Sequence, residues 1–325
     1  MNIEMIRASA ERLKGHIRRT PLLNSPFIDA MAGRRVWIKA ECLQHTGSFK
    51  YRGALSAISA LDQKVRARGI IAYSSGNHAQ GIALAARAAG VPAVIIMPAD
   101  APRSKIENTR ALGAETVLYD RPGGEDRDAI GAKIARERDL TLIKPFDNAQ
   151  VIAGQGTAGL EITEQAREAG VTKAEVIVCC GGGGFASGIA LALEADAPQM
   201  RVRTAEPENF DDMARSLLAG ERLSNAALSG SLCDAIISPT PGEITFPILR
   251  KLAGPGLVVS DGEALKAIAV AFNHLRVVAE PGGAVALAAA LFRKDLIEGD
   301  DVIVTISGGN VDAEVFQMAL QRDAA

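Results

Sequence analysis

The stretch EVIVCCGGGGFASG, Glu175 to Gly188, runs from an apolar segment through four consecutive glycines into a helical opening at Phe185. Four adjacent glycines cost backbone entropy, about 0.5–1 kcal/mol each relative to alanine in regular structure. Their return is close backbone approach to a ligand. Free N–H groups at a helix start, reinforced by the helix dipole, suit a phosphate dianion. A mobile turn is the bland alternative, and the strand and helix flanks argue against it. Gly181, Gly183 and Ala186 also fit G-x-G-x-x-G/A, with Glu206 at the end of the next apolar run. That keeps an NAD-binding oxidoreductase in view. No G-x-x-x-x-G-K-[ST] occurs, so a nucleotide P-loop is excluded.

Outward from this stretch, short β-type runs alternate with Ala-rich helical stretches. Residues 35–39, 69–73, 93–97, 115–119, 141–143, 175–180, 202–205 and 302–306 read as strands. Helices are expected over 79–89, 104–112, 126–137, 156–168 and 187–195. The strands are mostly continuously apolar rather than alternating, as when helices cover both faces of a parallel sheet. The pattern is α/β with βαβ units. Gly90, Pro92 and Gly113 fall where helices should stop. Asp120 to Asp128 is a polar, Gly-containing loop and a lid candidate.

The chain has 325 residues, enough for one large domain or two smaller ones. An apolar share of 48%, a charged share of 23% and a net charge of −2 give no reason to expect nucleic acid or a membrane as partner. No stretch approaches the ~20 apolar residues of a membrane span. Met1 to Lys14 carries Glu4 and Glu11 and lacks a signal-peptide core, so a cytoplasmic location is expected. Four cysteines are too few for a disulfide framework. Cys179 and Cys180 read as buried thiols, and the lack of a CxxC pair speaks against zinc.

Three further loops follow apolar runs or open helical ones. Thr46-Gly47-Ser48-Phe49-Lys50-Tyr51-Arg52-Gly53 places a lysine between aromatic residues and glycines. Partial desolvation near Arg52 would depress its amine pKa and make it a nucleophile toward an aldehyde. A lysine in an ordinary surface loop is the common alternative. Ser74-Ser75-Gly76-Asn77-His78 lies at a helix start and suits a small carboxylate, or is a plain N-cap. Ser307-Gly308-Gly309-Asn310 follows the last strand. In open α/β sheets, ligands bind at such strand ends.

Together and in this order, these motifs resemble the fold-type II pyridoxal phosphate (PLP) enzymes, in particular the serine/threonine dehydratases and serine racemases. The resemblance runs from about Ile17 to Asp312 and rests on Ser48-Phe49-Lys50-x-Arg52-Gly53 and the tetraglycine run. It implies two open twisted sheets, as in the tryptophan synthase β-subunit. A large PLP-binding domain would comprise 1–68 and 148–325, and a small mobile domain 69–147. Lys50 would hold PLP as a Schiff base and later remove the α-proton. Phe49 would pack on the pyridine ring, Asn77 would bond its phenolic oxygen, and Gly181, Gly182, Gly183 and Gly184 would bind its phosphate. Ser74, Ser75, Gly76, Asn77 and His78 would surround the substrate carboxylate. Ser307 would face the ring nitrogen. A neutral serine there does not favour a pyridinium, which couples proton loss to departure of the β-hydroxyl and favours elimination over transamination.

Glu206-Pro207-Glu208-Asn209-Phe210-Asp211-Asp212 resembles the divalent-cation loop of serine racemases. Glu206, Asp212 and the Phe210 carbonyl would bind Mg²⁺, or Ca²⁺ or Mn²⁺; a solvated acidic turn is the alternative. In the resembled racemases a serine at the place of Ser75 acts on the face opposite the lysine, which keeps racemisation open. Pro241-Gly242-x-x-Thr245-Phe246 looks like a segment of catabolic threonine dehydratases. The expected reaction is therefore loss of water from L-threonine or L-serine, giving a 2-oxo acid and ammonia. Serine racemisation and 3-hydroxyaspartate lysis are the alternatives on the same scaffold. Arg127 would bind a second carboxylate, or is a solvated surface arginine. A homodimer is implied. With about 15 residues after the Ser307 loop, feedback control by isoleucine is not expected.

Overall fold

The continuously apolar runs are buried, and all six residues of the run Asp301–Ile306 are buried with them. In a computed structural model, all residues are described except Ser75, Pro102, Arg121, Pro122 and 323–325, together with the side chains of Ser104 and Arg322. In chain order the strands are β1 (Leu22–Asn24), β2 (Arg35–Ala40), β3 (Ile70–Tyr73), β4 (Ala93–Pro98), β5 (Glu115–Tyr119), β6 (Thr141–Leu142), β7 (Ala174–Cys179), β8 (Met200–Pro207), β9 (Leu257–Val259) and β10 (Asp301–Ile306). They form a six-stranded sheet in the order β1-β2-β10-β7-β8-β9 and a four-stranded sheet in the order β5-β4-β3-β6. Only β1 pairs antiparallel, so the fold is α/β with two parallel sheets.

All eight strands expected from the sequence occur. The short strands β1 and β9 were not expected, because three residues carry no periodicity to detect. One helix begins seven residues earlier than its composition suggests. It spans Ala149–Glu168, and Asn148 caps it by accepting from the amides of Gln150 and Val151. Gly154 and Gly156 lie inside it, where glycine ordinarily weakens a helix. Packing explains both. A Cβ on Gly154 would lie 2.5 Å from the Arg52 carbonyl, and one on Gly156 would lie 2.9 Å from the Gly188 carbonyl.

The helix Lys50–Ser59 is seated on a buried ionic cluster. Arg52, two residues after Lys50, is inaccessible and donates to both oxygens of Glu41 at 2.8 Å and to both oxygens of Glu161 at 2.7–2.8 Å. Lys39 on β2 joins the cluster through Glu161 at 2.6 Å. Two cations face two carboxylates, so no net charge is buried. That balance is what makes such a cluster tolerable in a low-dielectric interior. It ties the Lys50 helix to β2 and to the long helix Ala149–Glu168.

Candidate active site

A cavity of about 250 Å³ is lined by the loops that follow β3, β7 and β10, together with Phe49 and Lys50. Strand carboxyl ends are where an open α/β sheet leaves room for a ligand.

The segment carrying Lys50 is fastened to the loop after β10. Ser48 bridges Gly308. The Phe49 amide donates to the Ser307 carbonyl at 3.1 Å, and the Gly309 amide donates to the Gly47 carbonyl at 2.9 Å. Gly47 has φ +71°, and a Cβ there would fall 2.6 Å from Asn310 Oδ1. Lys50 is buried in this arrangement, and its Nζ donates to the Pro145 carbonyl at 3.2 Å. Burial lowers the amine's pKa to about 8, against the opposing pull of Glu280. Phe49 stacks on Phe185 with ring centroids 4.1 Å apart, so part of its surface is already engaged by protein.

The four glycines form the turn into the helix Gly184–Asp196. Their lack of side chains has a cause in the protein itself. A Cβ on Gly182 would fall 2.3 Å from the Phe146 ring, and one on Gly181 would fall 2.7 Å from the Ile236 carbonyl. Gly183 has φ +92° and abuts Met213. Thr245 Oγ1 donates to the Gly182 carbonyl at 2.6 Å, and the Gly242 amide donates to the same atom at 3.2 Å. The Pro241–Thr245 segment, read from sequence as a mark of substrate class, therefore clamps the glycine turn.

Asn77 is fixed at both ends of its amide. Its Oδ1 accepts from Asn310 Nδ2 at 2.7 Å, and its Nδ2 donates to Glu280 Oε1 at 2.6 Å. Burial raises the Glu280 carboxyl to about pH 7, against the Asn77 bond. Ser74 Oγ accepts from the Gly76 amide at 3.2 Å. His78 Nε2 lies 3.1 Å from the Ile143 carbonyl. Burial, then the Lys50 charge, pushes the His78 ring down to about 3. The ring is therefore neutral, with its proton on the nitrogen that faces that carbonyl. Ser75 lies outside the described residues. Arg127 opens the helix Arg127–Glu137 and lines the cavity half-exposed, its guanidinium 5.3 Å from the centre of the Tyr73 ring.

The cavity thus gathers Phe49, Lys50, Ser74, Gly76, Asn77, His78, Arg127, Gly181 to Gly184 and Ser307. Glu206, Phe210 and Asp212 do not line it. Sequence reasoning missed Glu280, Lys105, the pair Pro145 and Phe146, and the wall segment Asp234–Pro239. Glu280 did carry a signal, an acid directly before Pro281-Gly282-Gly283 and a long apolar helix. Lys105 lies on a polar helix and carried none.

Residues 13–309 match the family model described as pyridoxal-phosphate dependent enzyme. An L-threo-3-hydroxyaspartate ammonia-lyase of Pseudomonas sp. is 42% identical, over 96% of this chain and 96% of its own length. A serine racemase of Oryza sativa subsp. indica is 36% identical, over 99% of this chain and 94% of its own. The crystal structure of a T.th. threonine deaminase superposes with a TM-score of 0.90 at 42% identity, covering 96% of this chain and 99% of that one. The chain belongs to the pyridoxal-phosphate-dependent enzyme family. It is a PLP-dependent lyase of fold type II, and its cofactor is PLP. The NAD-linked oxidoreductase is set aside. Glu206, which that reading needed at a ribose, is buried away from the cavity, and its oxygens accept from the Met213 and Ala214 amides.

The residues present fit PLP. The same cavity holds a buried amine disfavoured as an ammonium, an unhindered glycine backbone at a helix start, and the hydroxyl and amide groups of Ser307 and Asn77. The Glu206 loop fits a hard divalent cation. Both Glu206 and Asp212 are inaccessible, and Asp212 Oδ2 has no partner. Burial, and then the neighbouring charge of Asp212, raises Glu206 far above the usual carboxylate range. Burial raises Asp212 to about 6. Among the described residues no group of three or more His, Cys, Asp or Glu side chains gathers, so a cation would also need backbone oxygen and water.

Proposed function

We propose that this lyase removes water from a small β-hydroxy amino acid, L-threonine or L-serine, and releases a 2-oxo acid and ammonia. The observation that carries the proposal is the buried Lys50 amine sharing one cavity with the tetraglycine turn. PLP, when bound, supplies an aldehyde for an amine and a ring that draws electrons from the substrate's α-carbon.

In this proposal the backbone of Gly181 to Gly184 holds the phosphate, and Phe49 packs beside the ring. Asn77, its amide already oriented by Asn310 and Glu280, donates to the phenolic oxygen. Ser307 presents a neutral hydroxyl to the ring nitrogen. Ser74, Ser75, Gly76, Asn77 and His78 surround the substrate carboxylate. Lys50 Nζ would take the α-proton, and an acid beside the substrate would donate the proton with which the β-hydroxyl leaves as water. General acid–base help of this kind is worth about 10²–10⁴-fold. Glu206, Asp212 and the Phe210 carbonyl hold Mg²⁺ or a similar ion, and a chelator is expected to lower stability or activity.

A second substrate class is favoured by one feature. Lys105 and Arg127 both reach the cavity wall, two cations suited to the extra carboxylate of 3-hydroxyaspartate. The 42%-identical Pseudomonas relative is named for that substrate. Residues 69–147, which include the four-stranded sheet, are proposed to move as a small domain that closes on substrate. A homodimer is proposed through the large apolar side chains Phe27, Met31, Phe292 and Leu296, which are 37–63% exposed. Four unpaired cysteines accord with a reducing, cytoplasmic location. Among the described residues no helix is long and apolar enough to cross a membrane.

Assay of 2-oxo acid and D-amino acid from L-threonine, L-serine and L-threo-3-hydroxyaspartate tests the proposal. A 2-oxo acid as the main product is expected, and a mainly D-serine product would overturn it. Borohydride reduction should leave the cofactor on the peptide containing Lys50.

A further inference from the structure

Asp212 uses its two carboxylate oxygens differently. Oδ2 is buried without a partner, whereas Oδ1 accepts from Asn225 Nδ2 at 2.7 Å. The same Asn225 nitrogen gives its second hydrogen to the Ser238 carbonyl at 2.8 Å. The Asn225 backbone amide donates to the Pro239 carbonyl at 2.9 Å. Arg215 donates to Asn225 Oδ1 at 2.6 Å, which fixes the nitrogen end of the amide toward Asp212 and Ser238. Ser238 and Pro239 form part of the catalytic cavity wall. There is little slack between that wall and the glycine turn, since a Cβ on Gly181 would sit 3.0 Å from Ser238 Oγ.

We propose that Asn225 is a positioning residue that couples cation binding at Glu206 and Asp212 to the Ser238–Pro239 wall, so that the cation tightens binding of an amino-acid substrate. The inference rests on the cation-site reading above. A cation on Oδ2 fixes rotation of the Asp212 carboxylate and with it the position of Oδ1. The amide of Asn225 is planar, so the direction of one N–H sets the direction of the other. The carbonyl of Ser238 follows. Because binding free energies are linked, the amino acid must tighten the cation by the same factor.

The test uses the holoenzyme freed of metal by chelation and L-alanine, which has an amino and a carboxyl group but no leaving group. Its dissociation constant is read from the change in the visible cofactor band, with and without Mg²⁺, and Mg²⁺ binding is read separately by calorimetry. In the wild type, Mg²⁺ is expected to tighten L-alanine about 5-fold or more, within the usual range of couplings between sites. Asn225→Ala should still bind Mg²⁺, with the coupling reduced to less than about 2-fold on the same scale. Asn225→Ser, which can keep only one of the two bonds, should behave alike. Coupling that persists in both variants overturns the role of Asn225 and leaves the cation site standing. Cation binding in the wild type without coupling does the same. Variants that no longer bind Mg²⁺ make Asn225 part of the cation site and overturn its positioning role. No Mg²⁺ binding in the wild type overturns both the site and the inference.

Discussion

A lysine amine in water holds its proton to about pH 10.4, whereas burial brings Lys50 to about 8. The consequence is kinetic. The apoprotein should capture PLP at a rate that rises about tenfold per pH unit and levels off near 8, because only the neutral amine attacks an aldehyde. Stopped-flow absorbance reads this directly, and a rate still climbing at pH 10 would show that Lys50 is not desolvated. Lys50→Ala should lack the visible band. Glu280 shifts in the opposite sense, its carboxyl raised by burial to about 7. Its protonated form therefore favours the folded apoprotein. That contribution is complete below the unfolded value near 4.5 and fades as pH rises through 7, by about 1.4 kcal/mol per unit in the window. Urea denaturation at pH 5 and 8 should show a drop that Glu280→Gln flattens. At this scale the sequence was half legible. Lys50 was visible through its aromatic and glycine neighbours. Glu280 could be noticed only as an acid before Pro281-Gly282-Gly283, since its partner Asn77 lies 203 positions away and no local pattern announces that pairing.

Elements were more legible than their junctions. Strands β3, β4, β7 and β10 announce themselves by largely continuous apolar runs because helices cover both faces of the sheets. The Ala149 helix was legible only from Gly156 onward, because Gly154 looks like a breaker until the helix pressed against it is known. The glycine turn was correctly found, but its crowding by Phe146 could not be foreseen. That crowding yields a prediction. Gly182→Ala places a methyl carbon 2.3–2.4 Å from three ring atoms of Phe146. Either the ring or the turn must move, at a cost typical of overpacking, about 1–3 kcal/mol. The thermal midpoint should fall, and PLP affinity should weaken if the turn yields rather than the ring. Equilibrium dialysis separates the two outcomes.

At the scale of the whole molecule, the proposed dimer rests on the exposed side chains Phe27, Met31, Phe292 and Leu296, of which Met31 and Phe292 line one shallow depression. A double substitution, Phe27→Asp with Leu296→Asp, should shift the protein from dimer to monomer in multi-angle light scattering and leave the visible cofactor band in place. A wild type that runs as a monomer at micromolar concentration would refute the dimer. The sequence could not bring Met31 and Phe292 together, since they lie far apart along it. The same separation marks the catalytic centre. Phe49, beside Lys50, is fastened to Ser307, and β2 takes β10 as its parallel neighbour. During synthesis, then, the lysine emerges from the ribosome before the strand and loop that complete its pocket, 301–309, have been translated. A chain stalled before β10 has no burial to lower the pKa of that amine, so the tuned nucleophile exists only once β10 has joined β2.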